Sequence, residues 1–370
     1  HEDVERPATR RLLSLDFFRG ATMFLLVGES TRIYHHWTEM TTEGSWIYSL
    51  GMQFHHHPWN GLRFWDLVQP FFMFIVGVAM VYSVQKRRRS SSYRATTNHI
   101  LKRCLILFFL GIILHCGYQG RIVWELWNVL TQLSVTILIA YFLMDRSIKV
   151  QVGASLGLLL LTELLYRYMN IPGYDQPFVQ GENFGAWMDM VLMGKINSGG
   201  WVAINCLPTA AHTIWGVLAG KLLISQPSNS RILRVLLLSG ITGLVLGYGL
   251  DIAGITPIIK RICTSSFVLA SGGWCLIVLA LSYWLIDVKG SKRWVIFFAI
   301  VGMNSIFIYL FSQSITYQWL NGYLEIYTKS IGDWLNITLP AILLFTSLLS
   351  WAIHWGICHW LYKNKIFFKI

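Results

Sequence analysis

His55-His56-His57-Pro58-Trp59-Asn60-Gly61-Leu62-Arg63-Phe64-Trp65-Asp66-Leu67-Val68-Gln69-Pro70-Phe71-Phe72 is the stretch on which the reading of the chain turns. Its first two thirds, His55 to Asp66, gather three histidines, an Asn, an Arg and an Asp among large aromatics. Its remainder opens an uncharged, mostly apolar run from Leu67 to Val84, close to the length that crosses a bilayer. Groups that carry protons therefore stand at the mouth of a membrane helix. Ionisable side chains are unfavourable there and point to chemistry or gating rather than packing.

The rest of the chain agrees. Its 370 residues are 54% hydrophobic and 13% charged, with a mean hydropathy of +0.50. A soluble domain is about one quarter charged. The expectation is an all-α polytopic membrane protein, one domain over 1–370. Its ten spans fall near 12–34, 66–85, 99–118, 127–144, 149–169, 201–224, 232–250, 264–286, 294–314 and 338–361. The chain begins on His1 rather than Met, which reads as an expression remnant or a processed end, and no secretory signal pattern precedes the first span. The six cysteines form no C-x-x-C pair and read as small apolar fillers.

The net charge of +12 suggests nucleic acid until its distribution is followed. With a cytoplasmic N-terminal segment 1–11, the cytoplasmic side holds 21 Lys and Arg and the outer side 8. The excess is thus a topology signal that puts both termini inside, and no nucleic acid is expected. Two outer-face loops are long, 35–65 and 170–200. The first carries Trp37, Trp46, Trp59 and Trp65 with five histidines, and the second Tyr174 and Trp187; their aromatic faces beside Asp, Glu and Asn suit either an interfacial belt or a sugar-binding vestibule.

Polar groups inside the spans narrow the choice. Asp16 and Arg19 are three residues apart and pair on one helix face. Arg19, with Lys102 and Arg103 opening the third span, also suits phosphate contact near the cytoplasmic surface. Glu29 and Ser30 lie at the depth of the histidine loop, and Glu29 is expected to face a cavity or Arg32. His212 reads as a neutral histidine bonded to a neighbouring helix, and Asn304 and Ser305 as interhelical hydrogen-bonding groups. His115, His354 and His359, near helix ends, read as structural. The loop histidines His35, His36, His55, His56 and His57 include no H-x-x-x-H pair, and no metal is expected.

Four blocks resemble the heparan-α-glucosaminide N-acetyltransferase family of transmembrane acyltransferases. They are Leu15-Asp16-Phe17-Phe18-Arg19-Gly20; His56-x-x-Trp59-Asn60-Gly61-Leu62-x-x-x-Asp66-Leu67-Val68-x-Pro70-Phe71-x-x-Phe74-x-x-Gly77; Lys102-Arg103; and Gly302-Met303-Asn304-Ser305-Ile306. Pro208 with Trp215-Gly216-Val217-Leu218-Ala219-Gly220 is a weaker fifth. The resemblance implies an enzyme that takes acetyl from cytoplasmic acetyl-CoA and places it on an amino sugar at the opposite face. Its active-site His falls on His56, its nearby Asp on Asp66, and its CoA-side Arg on Arg103. Arg19, Lys102, Asn304 and Ser305 join the CoA side, and Glu29, Ser30 and Trp59 the acceptor side. Where lysosomal members have an Asn, this chain has Glu29-Ser30, so the acceptor need not be heparan sulfate. The expected relative is bacterial in type, without the luminal domain, in the inner membrane with the histidine loop facing the periplasm. Lipid contacts and a homodimer are also implied.

The chemistry is consistent with this. A neutral histidine can take the amine proton, a carboxylate can hold its tautomer, and Asn60 or Ser30 can donate to the developing oxyanion. An acetyl-histidine intermediate is the other route. Transfer to a sugar hydroxyl is the first rival, and a secondary transporter is the second.

Overall fold

In the computed structural model, which describes residues 12–225 and 227–368, every regular element among the described residues is helical. The expected segment 1–11 lies outside the described residues. The helices are α1 (Leu13–Ser30), α2 (Ile33–Glu39), α3 (Trp46–Met52), α4 (Val68–Arg88), α5 (Tyr93–Gln119), α6 (Val129–Leu143), α7 (Ile148–Tyr168), α8 (Phe184–Met193), α9 (Cys206–Ile224), α10 (Asn229–Ile252), α11 (Ser265–Ser282), α12 (Val295–Met303), α13 (Ser305–Phe311), α14 (Asn321–Trp334) and α15 (Leu339–Lys363). A tight turn over Phe64–Leu67 feeds α4, and a widened helical stretch, Ser312–Leu320, joins α13 to α14. Short polar residues start several helices: Ser92, Asn128, Ser147, Asn183 and Ser228 each accept a backbone N–H of the first turn.

Seven helical segments among the described residues are long and apolar enough to cross a membrane, and this is the build of a multi-pass membrane protein. Three of the ten expected spans fall short of that measure, each for its own reason. The first carries three charged residues, Asp16, Arg19 and Glu29. The fourth forms α6, only 15 residues long. The ninth is broken: α12 and the helix beginning at Ser305 are bent by 75°. Asn304 makes the break by leaving helical geometry (φ −120°, ψ 38°). Its side-chain amide donates to the Ile366 carbonyl at 3.0 Å and accepts from Phe368 N at 2.9 Å. Counting the bent pair as one span brings the number to eight.

The segments containing α4 and α9 are the most enclosed, with 72% and 67% of their apolar windows buried, against 17% for α10, so they form the centre. Leu238, Ile241, Val245 and Leu246 on α10, and Leu156, Leu160 and Leu164 on α7, are exposed and face outward. The central contacts run through glycine. A Cβ on Gly77 would collide with the Thr213 carbonyl oxygen, and one on Gly216 with that of Phe74, so α4 and α9 touch backbone to backbone. Gly20 meets the Phe298 carbonyl, and Gly302 packs on Gly20, closing α1 against α12 in the same way. Helices that gain little from apolar burial in lipid associate through such small-residue seams.

Gly77→Val should therefore destabilise the protein by about 1–3 kcal/mol or prevent its folding. Gly249→Ala, whose added Cβ meets open space, should stay within about 0.5 kcal/mol of the parent. Thermal unfolding in detergent checks the pair, and equal midpoints would refute the seam.

Candidate active site

Asp66 is 1% exposed and faces back into the histidine loop from the turn ahead of α4. Its carboxylate accepts the backbone N–H of Arg63 at 2.8 Å and that of His57 at 3.2 Å. Its Oδ1 lies 3.2 Å from His56 Nδ1. The Arg63 guanidinium bonds the His56 carbonyl at 3.1 Å, which fixes the loop from outside. A second connection, between α10 and α11, closes over it: Gly61 N donates to the Ile258 carbonyl at 2.8 Å, and Asn60 pairs with Ile259 in an isolated bridge.

That pairing delivers Lys260. Its Nζ lies 3.0 Å from His56 Nδ1 and 4.0 Å from Asp66 Oδ1, and the residue is 5% exposed. Trp201 lies beside both, its ring 5.7 Å from His56 and 5.3 Å from the Lys260 nitrogen. One imidazole nitrogen cannot serve both neighbours in the same state. Nδ1–H donates to Asp66, whereas a protonated Lys260 needs Nδ1 as a bare acceptor. The first state leaves Nε2 as a free base and the second places the proton there. Burial pushes Lys260 down to about 8, against the pull of the Asp66 and Glu29 carboxylates. Burial and the Lys260 and Arg261 charges push His56 down to about 4, against Asp66. The ring is therefore neutral at ordinary pH.

His56 lines two neighbouring cavities. One, of about 330 Å³, is walled by Glu29, Gln69, His115, Trp127, Trp201 and Lys260 among others. The other, of about 810 Å³, is walled by Glu29, Ser30, Arg32, His35, His55 and Tyr317 among others. Glu29 faces both, with its carboxylate held by Trp65 Nε1 at 2.9 Å. Ser30 Oγ accepts from Gln313 Nε2 at 3.1 Å. Two expected site residues, Trp59 on the acceptor side and Asn60 as oxyanion donor, do not line these cavities. Trp59 donates its indole N–H to the Phe178 carbonyl at 2.7 Å and lines neither cavity. Asn60 is exposed and also absent from both walls.

A third cavity, of about 880 Å³, opens at the other end of α1, α4, α5 and α13. Arg19, Lys86, Arg87, Arg103 and Ser305 line it. Lys102 is exposed beside it without lining it, and Asn304 is fully buried, tying down the C-terminal tail. Among the described residues, no group of three or more His, Cys, Asp or Glu side chains is placed to hold a metal. His212 is bonded at both nitrogens, to Thr209 and to Ser271 of α11, which makes it a cross-link between helices.

A family model described as "Heparan-alpha-glucosaminide N-acetyltransferase, catalytic" matches residues 11–246. The chain belongs to this family. Proteins named heparan-alpha-glucosaminide N-acetyltransferase from Mus musculus and Homo sapiens are 23% and 24% identical to it over 436 aligned positions, covering 100% and 97% of this chain. The chain spans 62% and 60% of their lengths. Within the family match lie Glu29, His56, Asp66, Arg103 and His115; Lys260, Asn304 and Ser305 lie beyond it. Lys260 was not among the residues singled out from sequence, although a signal existed. It is a cation in a short apolar connection on the side that holds few of them, in Pro257-Ile258-Ile259-Lys260-Arg261.

Replacing Lys260 by Met removes the nearest positive charge, so the imidazole of His56 should bind protons more readily. The pH at which the His56 ring takes up a proton, followed by NMR of the imidazole, should then move upward by about one unit or more. A midpoint that stays in place or moves down would sink the assignment of Lys260.

Proposed function

We propose that this chain is a membrane acetyltransferase moving the acetyl group of cytoplasmic acetyl-CoA to a glucosamine-like amino sugar on the outer face, with His56 as proton acceptor. The observation that carries the reading is the His56–Asp66 contact at 3.2 Å on the wall of a cavity sized for one sugar ring. The indoles of Trp127 and Trp201 supply faces for the ring, and the Glu29 carboxylate favours a cationic amine over a hydroxyl. In this reading the chain has ten spans with both termini in the cytoplasm, and α1, α6 and the bent α12–α13 segment complete the bundle.

The residues of the far cavity fit the donor. Arg103 Nε is buried with no hydrogen-bond partner among the described residues, in a cavity that also holds Arg19, Lys86 and Arg87. Such guanidinium forks suit the phosphates of CoA. From Ser83 at that end of α4 to Phe72 at the other, the helix rises about 16 Å, a distance suited to an extended thioester arm. Met23, Met73, Met80 and Ile308 fill the core along that path and have to part for it.

In this mechanism His56 takes a proton from the attacking amine through Nε2, while Asp66 holds Nδ1–H and stabilises the imidazolium. Neutral Lys260 favours this tautomer and protonated Lys260 opposes it. Direct transfer and an acetyl-histidine route both use the same nitrogen.

His56→Ala should abolish transfer while acetyl-CoA binding survives. Asp66→Asn should lower kcat by orders of magnitude with less effect on KM, and Arg103→Ala should raise the acetyl-CoA KM. A detergent-based transfer assay over a panel of amino sugars decides; a His56→Ala enzyme that keeps most of its rate overturns the mechanism. Orientation has its own check. A cysteine introduced as Ser91→Cys should be labelled only from the cytoplasmic side, and reaction from outside would invert the enzyme.

A further inference from the structure

A second carboxylate–histidine pair opens on the same cavity as His56. Glu125, 4% exposed, lies in the connection ahead of α6. Its Oε2 is 2.6 Å from Nδ1 of His115, which lines the 330 Å³ cavity from α5. Its Oε1 accepts from Lys195 Nζ at 2.7 Å, and that lysine comes from the connection after α8. Burial raises the Glu125 carboxyl, but the Lys195 and His115 hydrogen bonds outweigh it and hold the group below its ordinary range. The set repeats His56–Asp66–Lys260 with one change. Lys260 reaches the histidine nitrogen itself, whereas Lys195 reaches the far oxygen of the carboxylate. His115 Nδ1 thus meets only an acceptor, keeps its proton there, and leaves Nε2 as the basic nitrogen. Among the described residues, the ionisable groups lining the cavity or directly behind it include Glu29, His56, Asp66, His115, Tyr118, Glu125, Asp189, Lys195, Lys260, Arg261 and Tyr309.

Proton counting gives the second pair a task, on the reading of the chain as an amine acetyltransferase. A sugar amine arrives as an ammonium and leaves as an amide, so its nitrogen sheds two protons. One proton leaves before attack and frees the lone pair. The C–N bond then forms, the second proton leaves nitrogen, and the C–S bond breaks with its electron pair on sulfur. The thiolate takes up one of the two protons, and the other is released to water. A single histidine that returns its proton to sulfur leaves the first proton without an acceptor. We propose that His115, backed by Glu125, is that first acceptor: it deprotonates the ammonium and discharges to the outer solvent, while His56 serves the transfer step.

The test compares two acceptors at a pH where glucosamine is mostly ammonium and methoxyamine mostly free base. In His115→Asn, which keeps an N–H for Glu125, the loss of kcat/KM on glucosamine should exceed that on methoxyamine by tenfold or more. A general-base contribution is on the order of 10²-fold or above. Glu125→Gln should show the same split, and it serves if the first variant does not fold. Equal losses on both acceptors, or none on either, overturn the role of His115 alone. Absence of transfer by the parent protein to either acceptor overturns the acetyltransferase reading and this inference with it.

Discussion

The buried carboxylate of Asp66 is the constraint around which the outer end of the molecule is arranged. It accepts two backbone N–H groups, faces one imidazole nitrogen and lies 4.0 Å from a lysine. A charge so enclosed is tolerated only when its oxygens are saturated with donors. Each partner is a segment pinned in place: the His57 N–H sets the loop, the Arg63 N–H sets the turn into α4, and the Lys260 charge holds the connection between α10 and α11. The position of His56 follows from satisfying Asp66, not from packing of the imidazole itself.

The polar blocks in the sequence were legible because a membrane makes them conspicuous. His56 and Asp66 are ten residues apart, yet the 3.2 Å contact between them follows from one reversal at Pro58. Glu29 was readable as facing a cavity because nothing else makes a carboxylate acceptable at that depth. What the sequence hid was distance. Lys260 is 204 residues from His56, and the pairing of Gly61 with Ile258 that brings it in leaves no periodic trace. His115 looked like a helix-end histidine because its partners, Glu125 and Lys195, lie in two separate connections. Two of the expected spans depart from a straight apolar crossing for local reasons: at Asn304, whose amide leaves the helix to clamp the C-terminal tail, and in α6, only 15 residues long. Trp59 and Asn60 are the converse case. They belong to a specific motif, but they anchor the loop to its neighbours from outside the cavities.

The glycines of the resembling blocks acquire a meaning that no spacing conveyed. Gly77 of the second block meets Gly216 of the fifth, and Gly20 of the first meets Gly302 of the fourth. The blocks are therefore the two sides of two backbone seams, and the polar residues beside them are carried on those seams. In the proposed reaction the donor and acceptor ends share α1, α4, α5 and α13, so a seam that holds one end in register holds the other.

Between the two ends the same bundle is filled differently. Backbone seams have no rotamers to change, whereas Met23, Met73 and Met80 have three rotatable bonds each and pack without a preferred shape. The molecule is thus stiff along its crossings and soft along its axis. In the proposed reaction a chain of methylene width would be admitted by rotation of these side chains, with no helix displaced and no broad aqueous path opened between the two faces. Ions and protons would then be held back by the same methionine layer that lets an acyl arm through, and the membrane would keep its electrochemical gradient while the reaction runs across it.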